Sequence, residues 1–169
     1  WSAASSTGQE AYSLSMIIKD RLSGMAGWEF RLLGTDISKS ALEKAKKGRY
    51  TQLEVNRGLP APMLLKHFVR VGMEWEINES IRKMVEFREM NLAASWPIMP
   101  KMDVVFMRNV LIYFDVQTKK DILAKVRKVM APDGVLFLGG VETTLNIDAE
   151  FVRVVSGRAS FYRIRKGGG

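Results

Sequence analysis

The amino-acid sequence predicts an α/β fold with a mostly parallel sheet that ends in an antiparallel hairpin. Apolar runs typical of buried strands alternate with amphipathic segments along most of the 169 residues, the pattern of a parallel sheet covered by helices. The last two strand-like runs, Phe151–Val155 and Ser160–Ile164, flank the turn dipeptide Ser156-Gly157, which predicts a hairpin. With 47% hydrophobic residues, the chain is long enough to bury a core.

Four amphipathic segments predict helices, because their apolar residues recur every three or four positions. The second begins with Ser40-Ala-Leu-Glu43, the sequence of a capping box, and stops at Gly48. Pro60 and Pro62 start the third, and Asp115 caps the fourth. The predicted helices cover residues 10–22, 40–48, 60–68 and 115–130.

The remaining apolar runs predict strands. Met102–Met107 is nearly continuous in its apolar character, as expected of a central parallel strand buried on both faces. Ala131-Pro-Asp-Gly134 predicts a turn that leads into the strand Val135–Leu138. The predicted strands cover residues 30–35, 68–71, 77–85, 85–90, 102–107, 135–138, 151–155 and 160–164.

The composition excludes several kinds of chemistry. There is no cysteine and only one histidine, His67, so disulfides and thiolates are absent and we expect no metal site. His67 lies beside Phe68 in a predicted helix, where packing is the simpler role. No apolar run approaches the roughly 20 residues that span a bilayer, so we expect no membrane insertion. The net charge of +8 fits either an acidic partner or a solvated basic surface.

A turn of small residues near the start of the chain predicts a ligand-binding loop. Residues 2–8, Ser-Ala-Ala-Ser-Ser-Thr-Gly, lead into the first predicted helix, which begins at Glu10. Small side chains let backbone N–H groups approach a ligand closely. Asp36 follows the next strand, where doubly wound folds place the acid that binds ribose hydroxyls. A local capping role for Asp36 before Ser38 is the alternative.

Four further polar residues are candidates because they follow later strands of the predicted sheet. Asn91 either binds a ligand or satisfies its own loop backbone. Asn109 comes directly after an apolar strand, where an amide is costly to bury without partners. Tyr113 would place a phenol at the same edge of the sheet, where the strands end. Glu142 follows the next strand and is either part of the binding edge of the sheet or a solvated loop acid.

These motifs resemble a known family. Residues 1–13, W-S-A-A-S-S-T-G-Q-E-A-Y-S, resemble the signature W-S-A-x-S-T-G-E-E-P-Y-S of the chemotaxis-receptor methyltransferases, the CheR family. Four more family motifs recur in order: T-D-I-S at 35–38, N-L at 91–92, R-N-V-L-I-Y-F at 108–114 and P-D-G-x-L-F at 132–137. The resemblance covers essentially the whole chain and implies a Rossmann-like methyltransferase sheet.

The same resemblance implies an activity and a cofactor. Members of the family transfer the methyl group of S-adenosyl-L-methionine to glutamate side chains of cytoplasmic chemoreceptor domains, which leaves S-adenosyl-L-homocysteine. By position, Glu10 would hold the amino-acid part of this cofactor and Asp36 its ribose hydroxyls. Asn91 and Leu92 would frame the adenine. We therefore expect a cytoplasmic enzyme of chemotaxis signalling.

Near the reacting methyl, the resemblance implies that Asn109 and Val110 face the cofactor and that Tyr113 is the catalytic residue closest to the transferred group. The sparse inventory of reactive side chains fits this chemistry. A sulfonium methyl is already activated, and a glutamate with a pKa of about 4.3 is already ionised at neutral pH. Catalysis then consists of positioning and charge complementarity, with no metal or thiol.

The resemblance also predicts the domain organisation. Residues 1–169 would form one catalytic domain, with residues 50–87 as an inserted receptor-docking β-subdomain and 166–169 as a flexible tail. The family's N-terminal helical domain, with its N-x-T-x-F-x-R segment, does not occur in this sequence. Because that segment contributes cofactor contacts in the family, we expect this chain alone to bind the cofactor weakly and to be a fragment with little activity.

Some positions depart from the family pattern. Gln9 and Ala11 replace Glu and Pro, and Gly140-Val141-Glu142 stands where His-Ser-Glu is common. The Val71–Ser80 hairpin is shorter than in members that bind a receptor's C-terminal pentapeptide, so we expect no pentapeptide tether.

Three other functions remain open from the sequence. A nicotinamide-dependent oxidoreductase is disfavoured because the G-x-G-x-x-G pattern is missing. The charge and the Asn109…Tyr113 pair would fit a nucleic-acid methyltransferase, but the Pro-Pro usual between such residues is absent, so we expect no nucleic-acid partner. The altered motif residues would fit a non-catalytic CheR-like domain that binds a receptor or another partner.

Overall fold

The structure of the chain is a computed structural model that describes residues 1–22, 24–25 and 27–165. These residues divide into two compact units. The first contains Ser2 and residues 4–89, and the second contains Trp1, Ala3 and the chain from Met90 onward. The predicted tail at 166–169 lies outside the described residues. Within the described part, no helix combines the length and apolar character needed to cross a bilayer.

Ten strands and six α-helices occur in these residues. The strands are β1 Ser2–Ala3, β2 Leu32–Asp36, β3 Arg49–Thr51, β4 Phe68–Val71, β5 Glu74–Ile77, β6 Val85–Glu89, β7 Met102–Met107, β8 Met130–Leu138, β9 Phe151–Ser156 and β10 Ala159–Ile164. The helices are α1 Gln9–Arg21, α2 Lys39–Lys47, α3 Gln52–Val55, α4 Ala61–His67, α5 Glu79–Arg82 and α6 Val116–Val129, with a 3-10 turn at Leu111–Tyr113.

The first unit combines a parallel strand pair with a small antiparallel sheet. β2 pairs in parallel with β6, in a register that runs from Leu32 opposite Val85 to Asp36 opposite Glu89. β3, β5 and β4 form a separate antiparallel sheet in that order. This sheet lies within the region 50–87 that the family resemblance marked as an inserted subdomain, apart from its first residue at position 49.

Aromatic residues from helices and strands fill the core of the first unit. Tyr12 of α1 packs edge-on against Tyr50 and Phe87, and its hydroxyl donates a hydrogen bond to the Ala45 carbonyl at 2.7 Å. Burial raises the pKa of Tyr12 to about 12, so the phenol stays a neutral donor at physiological pH. His67 is also buried here.

His67 has a packing role, as expected. Its Nε2 lies 3.0 Å from the Asp20 carboxylate, and the Lys66 ammonium lies 2.8 Å from the other carboxylate oxygen. Hydrogen bonds with Lys66 and His67 hold the pKa of Asp20 below its usual value. These contacts join α4 to α1.

The second unit contains the central parallel pair and the terminal hairpin. β7 pairs in parallel with β8, and β8 is followed in the sheet by β10 and then β9, both antiparallel. The backbone of Trp1 adds to this sheet, because its N-terminus donates to Val104 and its carbonyl accepts from Phe106. α6 buries Ile122, Leu123 and Val126. The predicted α/β class with its closing antiparallel hairpin is confirmed.

The predicted strand at residues 77–85 is wrong. β5 ends at Ile77, and the chain then forms the short helix α5 before β6 begins at Val85. The Asn78 carbonyl accepts hydrogen bonds from the N–H groups of Ile81 and Arg82, which closes a helical turn. Ile77, Ile81 and Val85 are buried, whereas Glu79 and Lys83, which would share their face in a strand, are exposed, so the burial does not follow the alternation of a strand.

Two local predictions also fail because neighbouring residues supply better partners. The cap of α2 is Ser38, whose hydroxyl accepts from the Ala41 N–H, and not Ser40. The capping box occurs instead at Thr51 and Glu54, at the start of α3. The predicted turn at residues 131–134 lies inside β8, where a shift in the pairing register with β7 accommodates it.

Removal of a buried side chain from α6 tests the core of the second unit. Leu123 is 0% exposed and Val116, on the same helix, is 56% exposed. We expect Leu123→Ala to lower the free energy of unfolding by about 2–5 kcal/mol, because it leaves a cavity. Val116→Ala should change it by no more than about 0.5 kcal/mol. Urea unfolding of both variants measures the difference, and equal losses would contradict the assigned face.

Candidate functional site

The turn between β1 and α1 contains three residues with left-handed backbone. Ala4, Ser6 and Gly8 have φ values of 61°, 50° and 92°, all in the left-handed region. At Gly8 a Cβ atom would lie 2.9 Å from the Ala45 Cβ and 3.1 Å from the Phe87 ring. Glycine is therefore required both by the backbone and by the close packing. As predicted, the turn runs directly into α1.

Within this turn, Ser5 carries an unsatisfied hydroxyl. Its side chain is buried, with 5% of the residue exposed, and its Oγ has no hydrogen-bond partner among the described residues. The Ser5 N–H does have one, since it donates to the Thr35 carbonyl at 2.8 Å. A buried hydroxyl without a partner is costly, so this atom marks a position where a polar ligand group would be stabilised. Sequence reasoning did not single out Ser5.

Asp36, at the end of β2, ties its own turn to the small-residue turn. One carboxylate oxygen accepts from the Ser6 N–H at 2.8 Å, and the other accepts from the Ser38 N–H at 2.9 Å. The second contact is the local capping role considered from the sequence. A carboxylate oxygen has two lone pairs, so the half-buried Asp36 retains capacity for further donors.

Glu10 lies in the first turn of α1. Its Oε1 accepts a hydrogen bond from the Ser2 hydroxyl at 2.8 Å. Gln9, one of the departures from the family pattern, accepts from the Thr7 hydroxyl at 2.6 Å. The glutamine therefore contributes a hydrogen bond to the turn.

In the second unit, Asn91 and Leu92 have different surroundings. Asn91 is exposed, and its Oδ1 accepts from the Ala93 N–H at 2.9 Å, which is the local role considered from the sequence. Leu92 is buried. Its carbonyl accepts from the Trp96 indole at 3.1 Å and from the Lys125 ammonium at 2.6 Å. Lys125 of α6 thus holds the backbone that follows β6.

Lys125 is a residue that sequence reasoning missed. Besides Leu92 it donates to the Ala94 carbonyl at 2.7 Å, and its ammonium lies 5.0 Å above the Trp96 ring. Burial away from water lowers the pKa of Lys125 from its ordinary value. The available signal was its position in α6, since Ile122 and Val129 lie one helical turn away from it on the same face. A lysine on an apolar face indicates a specific partner for the ammonium.

The segment after β7 contains three of the predicted site residues. Asn109 has a φ of 57° and is exposed, so the cost of burying its amide does not arise. Its N–H points to the Glu142 carboxylate, and its side-chain Nδ2 lies near Gly139. Val110 is half-buried, and Tyr113, in the 3-10 turn, is 78% exposed.

Glu142 accepts the main-chain hydrogen bonds of this segment. It is only 9% exposed, so the alternative of a solvated loop acid is wrong. One oxygen accepts from the N–H groups of Asn109 and Gly139, both at 2.7 Å. The other accepts from the N–H groups of residues 110, 111 and 112, at 2.9, 2.8 and 3.3 Å. Five backbone donors therefore converge on one carboxylate.

The predicted site residues thus fall into separate clusters. Glu10 and Asp36 belong to the first unit, together with the turn at residues 4–8. In the second unit, Asn109 and Val110 share the carboxylate of Glu142. Their assignment to a cofactor stays a prediction.

Comparison with known proteins gives a match over nearly the whole chain. The family model described as CheR methyltransferase, SAM binding domain, matches residues 1–159. Chemotaxis protein methyltransferase 1 of Pseudomonas aeruginosa is 41% identical over 170 residues, which cover 98% of this chain and 62% of that protein. Chemotaxis protein methyltransferase Cher2 of Pseudomonas putida is 42% identical over 146 residues, which cover 84% of this chain and 53% of that protein. The chain therefore spans less than two thirds of these relatives.

Solved structures with the same fold are more distant in sequence. The glycopeptide N-methyltransferase MtfA, crystallised with S-adenosylhomocysteine, aligns with a TM-score of 0.52 and 14% identity over 96% of this chain and 51% of that one. At this identity the similarity concerns the fold alone. It agrees with the Rossmann-like methyltransferase class predicted from the sequence.

Replacement of Lys125 tests how the segment after β6 is held. Lys125→Met keeps an unbranched side chain but removes the donor to the Leu92 and Ala94 carbonyls. We expect amides in residues 91–96 to exchange about tenfold faster, because the loss of charged hydrogen bonds lowers the cost of local opening. Hydrogen–deuterium exchange with mass spectrometry measures the rates.

The matched control is Lys128→Met, on the exposed part of the same helix, which should leave residues 91–96 unchanged. Unaltered exchange in Lys125→Met would contradict the role of the ammonium.

Proposed function

Because this chain belongs to the CheR methyltransferase family, we propose that it binds S-adenosyl-L-methionine and that the protein methylates glutamate side chains of chemoreceptors. The observation that carries the proposal is the turn at residues 4–8 bound to Asp36. It combines left-handed backbone, an unpaired buried hydroxyl at Ser5 and a carboxylate with spare acceptor capacity.

The donor and acceptor groups of the first unit fit such a cofactor. Its ribose hydroxyls and ammonium group are hydrogen-bond donors, and Asp36 and Glu10 are acceptors. We assign the ribose hydroxyls to Asp36 and the amino-acid part to Glu10. Carboxylates also complement the positive charge of a sulfonium compound. The Ser5 hydroxyl gains a partner if the amino-acid part lies against the turn.

In the second unit we assign Leu92 and Asn91 to the adenine, since the buried Leu92 offers an apolar contact beside polar loop atoms. Asn109 and Val110 face the cofactor near its sulfonium. Tyr113 is placed close to the methyl group, and its exposure leaves it free to contact a substrate chain.

The proposed reaction requires positioning more than acid–base chemistry. Bound S-adenosylmethionine supplies a methyl group already activated by the sulfonium. The accepting glutamate is ionised at neutral pH and needs no base. The residues of this chain would therefore bind the donor, orient the acceptor for in-line attack and exclude water.

The proposed partner is the glutamate-bearing cytoplasmic region of a chemoreceptor. The net charge of +8 favours approach to an acidic partner. We accordingly place the protein in the cytoplasm. We propose that the sheet of β3, β5 and β4 is the docking subdomain, and that nucleic acid is not a partner.

Asp36→Ala tests the assigned cofactor contact. We expect the affinity for S-adenosylhomocysteine to fall by about 10- to 100-fold, because charged hydrogen bonds are lost. The protein should stay folded, with a modestly lower melting temperature, because the Ser6 and Ser38 N–H groups lose their acceptor. Titration calorimetry and thermal unfolding measure the two quantities. Asp133→Ala, at an exposed aspartate, is the control. Retained affinity in Asp36→Ala would refute the assignment.

The same variants test the activity in the full-length protein. Tritiated methyl transfer to receptor fragments, with base-labile release of the label, reports glutamyl methyl esters. The wild type and Asp133→Ala should produce them, and Asp36→Ala should produce about 10- to 100-fold fewer at a cofactor concentration below the wild-type dissociation constant. Cofactor binding without any methyl transfer would favour the non-catalytic alternative.

We further propose that this protein uses no C-terminal pentapeptide tether. The loop joining β4 to β5 consists only of Gly72 and Met73, and Gly72 has a φ of 63°. So short a turn offers few side chains beyond the strands themselves.

A receptor C-terminal pentapeptide should therefore bind no better than a scrambled peptide of the same composition. Titration calorimetry with both peptides decides the point, and clearly stronger binding of the natural order would overturn this proposal.

A further inference from the structure

We propose that Glu142 is a positioning residue that holds the backbone of residues 109–112 in the shape the transfer reaction needs. Only the effect of Glu142 on the reaction rests on the proposed function. The structural part, that one carboxylate organises the segment, rests on the hydrogen bonds themselves.

One carboxylate accepts the hydrogen bonds of a continuous stretch of backbone. Four consecutive N–H groups, from Asn109 to Ile112, donate to the Glu142 carboxylate within 3.3 Å. The N–H groups of residues 110–112 lie at the start of the 3-10 turn, and the left-handed conformation of Asn109 directs its own N–H to the same carboxylate. Bonds to a charged acceptor are about twice as strong as neutral ones. The carboxylate thus stabilises a backbone shape that Asn109 would not favour alone.

Gly139 is the second requirement of this arrangement. A Cβ atom at Gly139 would lie 2.6 Å from Glu142 Oε2 and 2.9 Å from the Asn109 nitrogen. Any larger residue must therefore displace the carboxylate or the segment. The Glu142 N–H also donates to the Gly139 carbonyl at 2.9 Å, which fixes the acid relative to the end of β8.

The segment at residues 109–112 contains or adjoins the residues assigned to the sulfonium and methyl group of the cofactor. Val110 lies inside it, and Tyr113 follows directly in the 3-10 turn, where its N–H donates to the Val110 carbonyl at 3.2 Å. A change at Glu142 therefore reaches Tyr113 through the backbone. Glu142 itself need not touch cofactor or substrate.

Glutamine cannot replace this carboxylate. Both carboxylate oxygens accept from N–H groups, so either orientation of an amide would point its NH₂ at backbone donors. Glu142→Gln keeps the size of the side chain and replaces one of its two acceptor oxygens with a donor. Gly139→Ala keeps the carboxylate and removes only the space. Both variants should loosen the same segment.

Hydrogen–deuterium exchange on the protein without cofactor tests the structural part. In Glu142→Gln and Gly139→Ala we expect residues 109–112 to exchange at least about tenfold faster, with α6 and β7 still protected. Glu150→Gln, at an exposed acid in the same unit, should match the wild type. Wild-type protection of residues 109–112 in Glu142→Gln would overturn the proposal. So would faster exchange spread evenly over β7, β8 and α6, because it would indicate general destabilisation.

Steady-state kinetics in the full-length protein test the positioning role. We expect kcat for methyl transfer to fall by about 10- to 100-fold in both variants, because misplacement by about 1 Å costs that much. The affinity for S-adenosylhomocysteine should fall less than kcat, since Asp36 and Glu10 are untouched. An unchanged kcat with a loosened segment would overturn the role of Glu142. If the wild type binds no cofactor, the proposed function fails, while the exchange experiment still decides whether Glu142 holds the segment.

Discussion

Carboxylates that accept main-chain N–H groups fix the turns after the parallel strands in both units of this protein. Asp36 binds the N–H groups of Ser6 and Ser38, and Glu142 binds five N–H groups around the ends of β7 and β8. Backbone groups at strand ends have lost their partners in the sheet and must be satisfied elsewhere. A carboxylate does this for several donors at once and leaves a defined concave backbone. The candidate site depends on these turns more than on any reactive side chain.

This construction explains the small number of reactive groups. A chain without cysteine and with one histidine, which is buried and hydrogen-bonded to Asp20, has little capacity for covalent or acid–base catalysis. Methyl transfer from a sulfonium to an ionised carboxylate requires little covalent or acid–base catalysis. The left-handed turn at residues 4–8, the unpaired Ser5 hydroxyl and the acceptor capacity of Asp36 suit a role in binding and orientation. Rigid backbone is what such a role requires.

Much of the architecture follows from local sequence. The apolar run of β7, the aspartate cap of α6 and the Ser-Gly turn of the last hairpin each specify an element through nearest neighbours, and each is present. Predictions failed where neighbours distant in sequence decided the outcome. Ile81 belongs to a helical turn because its side chain joins the core of the first unit, together with Tyr12 and Tyr50. Pro132 and Gly134 lie within β8 because the pairing of β8 with β7 continues across a shift in register.

The sequence by itself determined the family, the fold class and the order of the motifs, because these reside in short contiguous patterns such as residues 1–13 and 108–114. Tertiary structure alone decided how the polar residues are used. It buried Glu142, exposed Asn109, left the Ser5 hydroxyl unpaired and brought Lys125 to the carbonyls of Leu92 and Ala94. The physical reason is that a hydrogen-bond partner thirty residues away leaves no trace in local spacing. Burial and pairing are properties of the folded chain.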